Sequence, residues 1–161
     1  MKKWIAARLC LCAMLSFASC RSGDSKEGWT FQTGGVTLKI GDRCADALKQ
    51  LESGCKSKSA TGSCANAAGE DVLYTYDGFR LTTYREKEND PNEKLCTVEF
   101  LTDAVKTPEG ITVGSTVDAV KAAYGTPTSE DGSALTYDKG NTRLRFALRD
   151  GKVSGVTYLA L

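Results

Sequence analysis

Hydrophobic and polar residues alternate with two distinct periods along this chain. Trp29-Thr30-Phe31-Gln32-Thr33 and Val36-Thr37-Leu38-Lys39-Ile40 alternate singly around Gly34-Gly35. That pattern predicts a β-hairpin, because glycine accepts the positive φ of a tight turn without steric cost. The period then lengthens. Cys44, Ala47, Leu48 and Leu51 fall at i, i+3, i+4 and i+7, and Val117, Val120 and Tyr124 recur in the same way. Both spacings predict short amphipathic helices. Asp42 reads as the cap of the first, and Ser115 with Asp118 as a capping box for the second. Gly54 and Gly125 close the helices, and Pro127 prevents the second from resuming.

Behind each helix the period returns to two. Tyr74-Thr75-Tyr76-Asp77-Gly78-Phe79-Arg80-Leu81 parallels Leu135-Thr136-Tyr137-Asp138-Lys139-Gly140, which runs on into Arg143-Leu144-Arg145-Phe146. Lys94 to Leu101 likewise parallels Lys152 to Leu159. Alternation places Cys96, Val98 and Phe100 on one face of one strand, and Ser154, Val156 and Tyr158 on one face of the other. A lone three-stranded meander buries too little to stand alone. The expectation is therefore α+β: two helix-plus-three-strand repeats, at about 36–101 and 111–161, sharing an antiparallel sheet with both helices on its apolar face.

The N-terminus follows different rules. Lys2, Lys3 and Arg8 precede an apolar run from Leu9 to Phe17, too short to span a bilayer but patterned as a signal peptide over residues 1–19. Ser16-Phe17-Ala18 offers a small-x-small cleavage site for ordinary secretion. Phe17-Ala18-Ser19-Cys20 resembles a bacterial lipobox, which implies that Cys20 is lipidated and becomes the new N-terminus. Cysteine parity favours the second reading. Loss of Cys10 and Cys12 leaves five cysteines, an odd number outside the cell, whereas lipidation of Cys20 leaves Cys44, Cys55, Cys64 and Cys96. The tether, residues 20–28 (CRSGDSKEG), is polar and flexible. The remainder, with 18 basic and 20 acidic residues, carries net −2 and has no polybasic patch for an anionic surface, so the lipid is expected to do the anchoring to the membrane.

The succession of strand end, glycine, N-cap, short helix, glycine, Tyr-x-Tyr or Leu-x-Tyr strands, the Asp150-Gly151-Lys152-Val153 turn and a final strand resembles the helix-plus-meander modules of the beta-lactamase inhibitor protein and of the SmpA/OmlA (BamE-like) lipoproteins. The stretch Val105-Lys106-Thr107-Pro108-Glu109-Gly110-Ile111 is similar to small lipoproteins of unassigned role in Gram-positive gut bacteria. The resemblance covers residues 29–161, read as a single domain. It rests on glycines, caps and alternating apolar positions, so it implies a fold more directly than an activity.

Composition narrows the chemistry. The chain has 161 residues and no histidine, which excludes Ser-His-Asp and Cys-His catalysis and His-ligated zinc. A formal charge of +1 over the whole chain argues against nucleic acid as a partner. The four remaining cysteines show no paired metal-binding spacing and no Cys-x-x-Cys, so bridges Cys44–Cys96 and Cys55–Cys64 are expected, with Cys44–Cys64 and Cys55–Cys96 as the alternative pairing. Lys56 to Ser63 reads as a polar loop that the Cys55–Cys64 bridge would close. Arg85 to Lys94 reads as a solvated hairpin loop lacking the ligand pattern of a calcium site. Asp46 sits in the first helix, and Asp77 and Asp138 read as turn residues, leaving no carboxylate pair for acid–base work. Tyr74, Tyr76 and Tyr137 belong to the apolar face.

Arg143, Arg145 and Arg149 alternate with Leu144, Phe146 and Leu148, and Arg80 with Tyr84 makes a shorter strip. Both strips read either as a solvated face that discourages edge aggregation or as a contact surface for an acidic partner. Together these features lead to the expectation of a membrane-anchored, extracytoplasmic lipoprotein without catalytic residues or cofactor, binding or scaffolding an envelope protein or polymer. The alternative, implied by the inhibitor resemblance, is a proteinaceous inhibitor of a secreted or envelope enzyme.

Overall fold

Single-residue alternation prevails over most of the chain. The structure, a computed structural model, describes residues 27–64 and 68–161. The signal segment 1–19, Cys20 and the tether up to residue 26 lie outside the described residues. The hairpin around Gly34-Gly35 forms as β1 (Thr30–Thr33) and β2 (Val36–Lys39), paired from Thr30–Lys39 to Thr33–Val36. Helix α1 (Ala45–Leu51) continues into a short 3₁₀ turn at Glu52–Gly54. Then come β3 (Ser57–Gly62), β4 (Glu70–Thr75), β5 (Phe79–Arg85) and β6 (Lys94–Phe100). Helix α2 (Val117–Tyr124) precedes β7 (Ser129–Glu130), β8 (Ala134–Lys139), β9 (Thr142–Arg149) and β10 (Lys152–Ala160).

Strands β3 to β10 form one antiparallel sheet in the order β3-β4-β5-β6-β10-β9-β8-β7. This overturns the expected α+β class of two helix-plus-three-strand repeats. The chain is mostly β, 46% strand and 14% helix, with two helices and one large eight-stranded sheet among the described residues. The reason is visible in the polar stretch expected to be a loop. Lys56 to Ser63 contains no proline and pairs along β4 from Ser57–Thr75 to Gly62–Glu70, so it becomes a strand.

The apolar face of this sheet is also too broad for two helices of seven and eight residues to cover. Leu48 of α1 and Val120 of α2 are buried on it, but the hairpin closes its centre. Phe31 of β1 is fully enclosed, its ring 5.0 Å from Phe79, 5.7 Å from Phe100 and 6.2 Å from Tyr158. Burying one such side chain is worth about 1.5–3 kcal/mol, more than the intrinsic propensity of a helix this short supplies. Val72, Leu81, Val98, Leu135, Leu144, Phe146 and Val156 complete the floor.

Two irregularities reset the alternation. The β5–β6 register slips between Thr82 and Thr83, so Leu95 is buried while Cys96 is half-buried, and Cys96 does not share the inward face of Val98 and Phe100. A second slip between Val153 and Gly155 buries Val153 and exposes Ser154. Each is a bulge in which one extra residue opposes the partner strand, a feature that hydrophobic patterning does not disclose. The helix caps differ as well. Cys44, not Asp42, is the N-cap of α1 and makes no side-chain cap bond, while Thr116, not Ser115, caps α2 by accepting from the Ala119 amide at 3.2 Å.

Candidate functional site

The sheet has one covered face and one open face, and the expected partner residues all lie on the open one. Along β5, Phe79, Leu81, Thr83 and Arg85 are buried while Arg80, Thr82 and Tyr84 are half-buried. Along β9 the buried positions are Thr142, Leu144 and Phe146, which puts Arg143, Arg145 and Arg149 on the opposite side. The register joins the strips across the molecule. Thr75, Arg80, Glu99, Thr157, Arg145 and Thr136 are successive partners from β4 to β8. At about 4.8 Å per strand, Arg80 and Arg145 stand roughly 14 Å apart in one row. The next row runs through Leu73, Thr82, Thr97, Leu159, Arg143 and Asp138.

The charges on this face are partly paired. Arg80 donates to Glu99 at 2.7–2.8 Å. Arg143 engages Asp138 through Nε and Nη2 at 2.7 and 2.9 Å, and this two-pronged contact holds the Asp138 carboxyl below its usual range. Arg145 and Arg149 are exposed. The Arg145 charge adds to the hydrogen bonds from Ser133 that keep the Asp131 carboxyl low. Tyr84, on the same face about four residues along the strand from Arg80, packs so closely over Gly69 that a Cβ there would overlap its ring. The arrangement is a half-exposed sheet face on which Arg80 and Arg143 are held by Glu99 and Asp138 while Arg145 and Arg149 stand exposed among threonine and tyrosine. Such a surface can form charge-assisted hydrogen bonds to a planar acidic partner.

A second concentration of polar groups lies on the covered face, in a segment read from sequence as a solvated loop. Arg85, Asp90 and Glu93 are only 5–6% exposed, so the segment from Arg85 to Lys94 is anchored in the interior. Glu93 accepts hydrogen bonds from the Tyr74 hydroxyl at 2.9 Å and from Thr83 Oγ1 at 2.5 Å. Arg85 donates to Glu70 at 2.8 and 3.0 Å. Asp90 accepts from the backbone amides of Asn92 and Glu86, and these bonds hold its carboxyl low. Burial and the Glu93 bond push the Tyr74 hydroxyl well above its ordinary value. Sequence reasoning missed this network, because a glutamate in a charged run, ten and nineteen residues from the hydroxyls that bond it, carries no signature of burial.

Beside it, α1, the start of β3, the end of β4 and residues 89–93 enclose a groove of about 580 Å³. Leu48, Tyr74 and Tyr76 give it apolar lining, and both signs of charge border it: Lys49, Lys56 and Lys58 with Asp46, Glu52, Asp90 and Glu93. Lys49 pairs with Asp46 and Lys56 with Asp77, while the Lys58 ammonium lies 5.1 Å from the centre of the Tyr74 ring. Tyr76 stacks on Phe79, and its buried hydroxyl has no hydrogen-bond partner among the described residues.

Cys44, Cys55, Cys64 and Cys96 are all free thiols, and neither expected bridge is formed. Cys55 and Cys64 stand beyond opposite ends of β3, whose six residues rise about 3.3 Å each, far beyond the 4.4–6.8 Å Cα separation of a disulfide. Cys44 donates weakly to the Glu93 carbonyl, and burial pushes its thiol up to about 12, which suppresses the nucleophilic thiolate. Among the described residues no three His, Cys, Asp or Glu side chains gather closely enough to hold a metal ion, and no helix is long and apolar enough to cross a membrane. No protein-family model, curated protein or solved structure matches this chain.

Proposed function

We propose that the protein is a membrane-anchored, extracytoplasmic lipoprotein acting as a non-catalytic binding module, and that the open sheet face holds an acidic envelope protein or polymer. One observation carries this reading: Arg80, Tyr84, Arg143, Arg145 and Arg149, noticed as two separate strips in the sequence, share one face of a single continuous sheet. Backbone pairing across eight strands makes that face rigid, so a partner binds without paying for its ordering. The anchor rests on the signal pattern and on Cys20, and it places the sheet within tether reach of the envelope.

The test is cross-linking and recovery of complexes from envelope preparations with three forms of the full chain. The parent chain is expected in the membrane fraction with a specific acidic partner. Cys20→Ala is expected in the soluble fraction, and Arg145→Glu is expected to remain in the membrane with recovery of the partner reduced about tenfold, equivalent to about 1.4 kcal/mol. Membrane retention of Cys20→Ala would refute the lipid anchor. Undiminished recovery with Arg145→Glu would refute the binding face.

A further inference from the structure

Two positive side chains face each other where β6 begins. Arg43, just before α1, forms an isolated antiparallel bridge with Lys94. The Leu95 amide donates to the Asp42 carbonyl at 3.0 Å, and the Cys44 amide to the Glu93 carbonyl at 2.8 Å. These bonds flank the Arg43–Lys94 pair rather than join it. Its Cα atoms therefore stand about 4.5 Å apart, the closer of the two antiparallel spacings, with both side chains on one side of the ladder. Like charges placed directly opposite in this way destabilise the pairing. Both residues are exposed, and neither has a carboxylate partner among the described residues.

The pair borders a cavity of about 280 Å³. Tyr84, the partner of Lys94 on β5, lines it with a ring packed over Gly69. Arg85 lines it too, although it is only 6% exposed. Its Nε and Nη2 donate to Glu70, while Nη1 has no partner among the described residues and is not enclosed. One donor of a nearly buried guanidinium is thus left open to the cavity. Two carboxylates share the lining, and neither neutralises the pair. Asp90 accepts from the Glu86 and Asn92 amides, with the Lys87 charge close by. Glu86 is exposed and forms no ion pair among the described residues. With Glu70 set against Arg85 and Asp90 against Lys87, Arg43 and Lys94 outweigh Glu86. A doubly charged oxyanion suits this arrangement, because its oxygens accept from several donors at once and its charge falls between groups that otherwise repel. A lone carboxylate brings one charge and two oxygens, and offsets the pair less completely.

We propose that Arg43, Lys94 and Arg85 form a binding site for a phosphoryl group at the corner of the open face. Tyr84 belongs to both surfaces, but this site needs neither the lipid anchor nor the acidic partner proposed above.

The test titrates the full-length chain with inorganic phosphate in chloride buffer, at about pH 8 and constant ionic strength, so that the anion is doubly charged and screening is fixed. Amide shifts are expected to saturate and to centre on residues 43–44, 84–86 and 92–95, and phosphate is expected to raise the thermal midpoint. Arg43→Gln is expected to weaken binding about tenfold. In chloride alone the same variant is expected to unfold at no lower a temperature than the parent, because it removes a repulsion. Arg145→Glu, two strands and five residues from Lys94, is expected to leave phosphate binding unchanged, so this site and the open face fail separately. Glycerol phosphate identifies the source: binding at least as tight as that of phosphate assigns the site to a larger phosphorylated molecule, and exclusion assigns it to the free ion. Shifts that do not saturate, that survive Arg43→Gln, or that centre on Arg145 and Arg149 would overturn the proposal. So would a lower midpoint for Arg43→Gln in chloride, which would show that the pair is not strained by its charges.

Discussion

Replacing Glu93 with alanine is expected to lower the unfolding free energy by about 3 kcal/mol, a large part of the 5–15 kcal/mol available to a domain of this size. The carboxylate is 5% exposed and accepts from two hydroxyls, those of Tyr74 and Thr83. Alanine would leave the Tyr74 hydroxyl buried without a partner, leave Thr83 with only its 3.4 Å contact to the Val72 carbonyl, and remove a negative charge near the buried Arg85 guanidinium. Each unsatisfied polar group costs about 1–3 kcal/mol, so the orphaned partners dominate over the lost bonds themselves. Glu93→Gln retains the shape and one acceptor oxygen, and about half of the loss is expected. Guanidinium unfolding monitored by circular dichroism measures both. A loss below about 1 kcal/mol for Glu93→Ala would mean that water replaces the carboxylate and that the segment from Arg85 to Lys94 is loosely held.

The second large effect is alkaline unfolding. Burial first, and then the Glu93 charge, raises the Cys44 thiol from 9.0 to about 12. Burial, with the neighbouring Cys55 and Cys44, raises Tyr76 from 10.0 to about 12, and Tyr74 and Tyr158 are raised further, chiefly by burial. These are acids whose neutral form is favoured in the folded chain. Below pH 9 both states are protonated and the groups have no influence on stability. Above it, the unfolded chain releases protons that the folded chain keeps, so stability falls as pH rises, and is still falling at pH 12, where Tyr74 and Tyr158 remain protonated in the folded chain. Each fully buried group costs about 1.4 kcal/mol per pH unit in that window. By pH 11 the loss reaches several kcal/mol. The measurement is the denaturation midpoint between pH 7 and 11.5. Cys44→Ser should remove most of the decline between pH 9 and 10, where the Cys44 thiol and, by a smaller margin, the Cys96 thiol are held protonated by burial before the tyrosines contribute. A flat profile to pH 11 would show that these groups are solvated.

Local elements were legible from the sequence where a single period and its punctuation decided them. The Gly34-Gly35 hairpin, the helix that Gly125 ends at φ 77°, and the placement of Tyr74, Tyr76 and Tyr137 in the core follow from alternation and turn chemistry. The architecture was not legible, because it depended on residues with weak preferences. Apart from Thr61, the serine, lysine, alanine and glycine residues of β3 have little strand propensity, and their strand exists because β4 offers a free edge to pair with. The bulges at Cys96 and Ser154 changed which neighbours face inward without changing composition. The open face was half-legible: the sequence marked Arg80, Arg143 and Arg145 as outward, but only the register placed them in adjoining rows. The buried Glu93 network was invisible, since its partners Tyr74 and Thr83 come from two different strands, far from it in sequence.

Continuity of the sheet underlies the open face, and it depends on the seam at which β6 meets β10, through Glu99–Thr157, Val98–Tyr158 and Thr97–Leu159. Backbone nuclear Overhauser contacts between residues 97–99 and 157–159 measure that seam directly. The structure requires contacts at all three pairs in antiparallel order. Contacts confined within β3–β6 and within β7–β10, with none across, would separate Arg80 from Arg145 and contradict a single eight-stranded sheet.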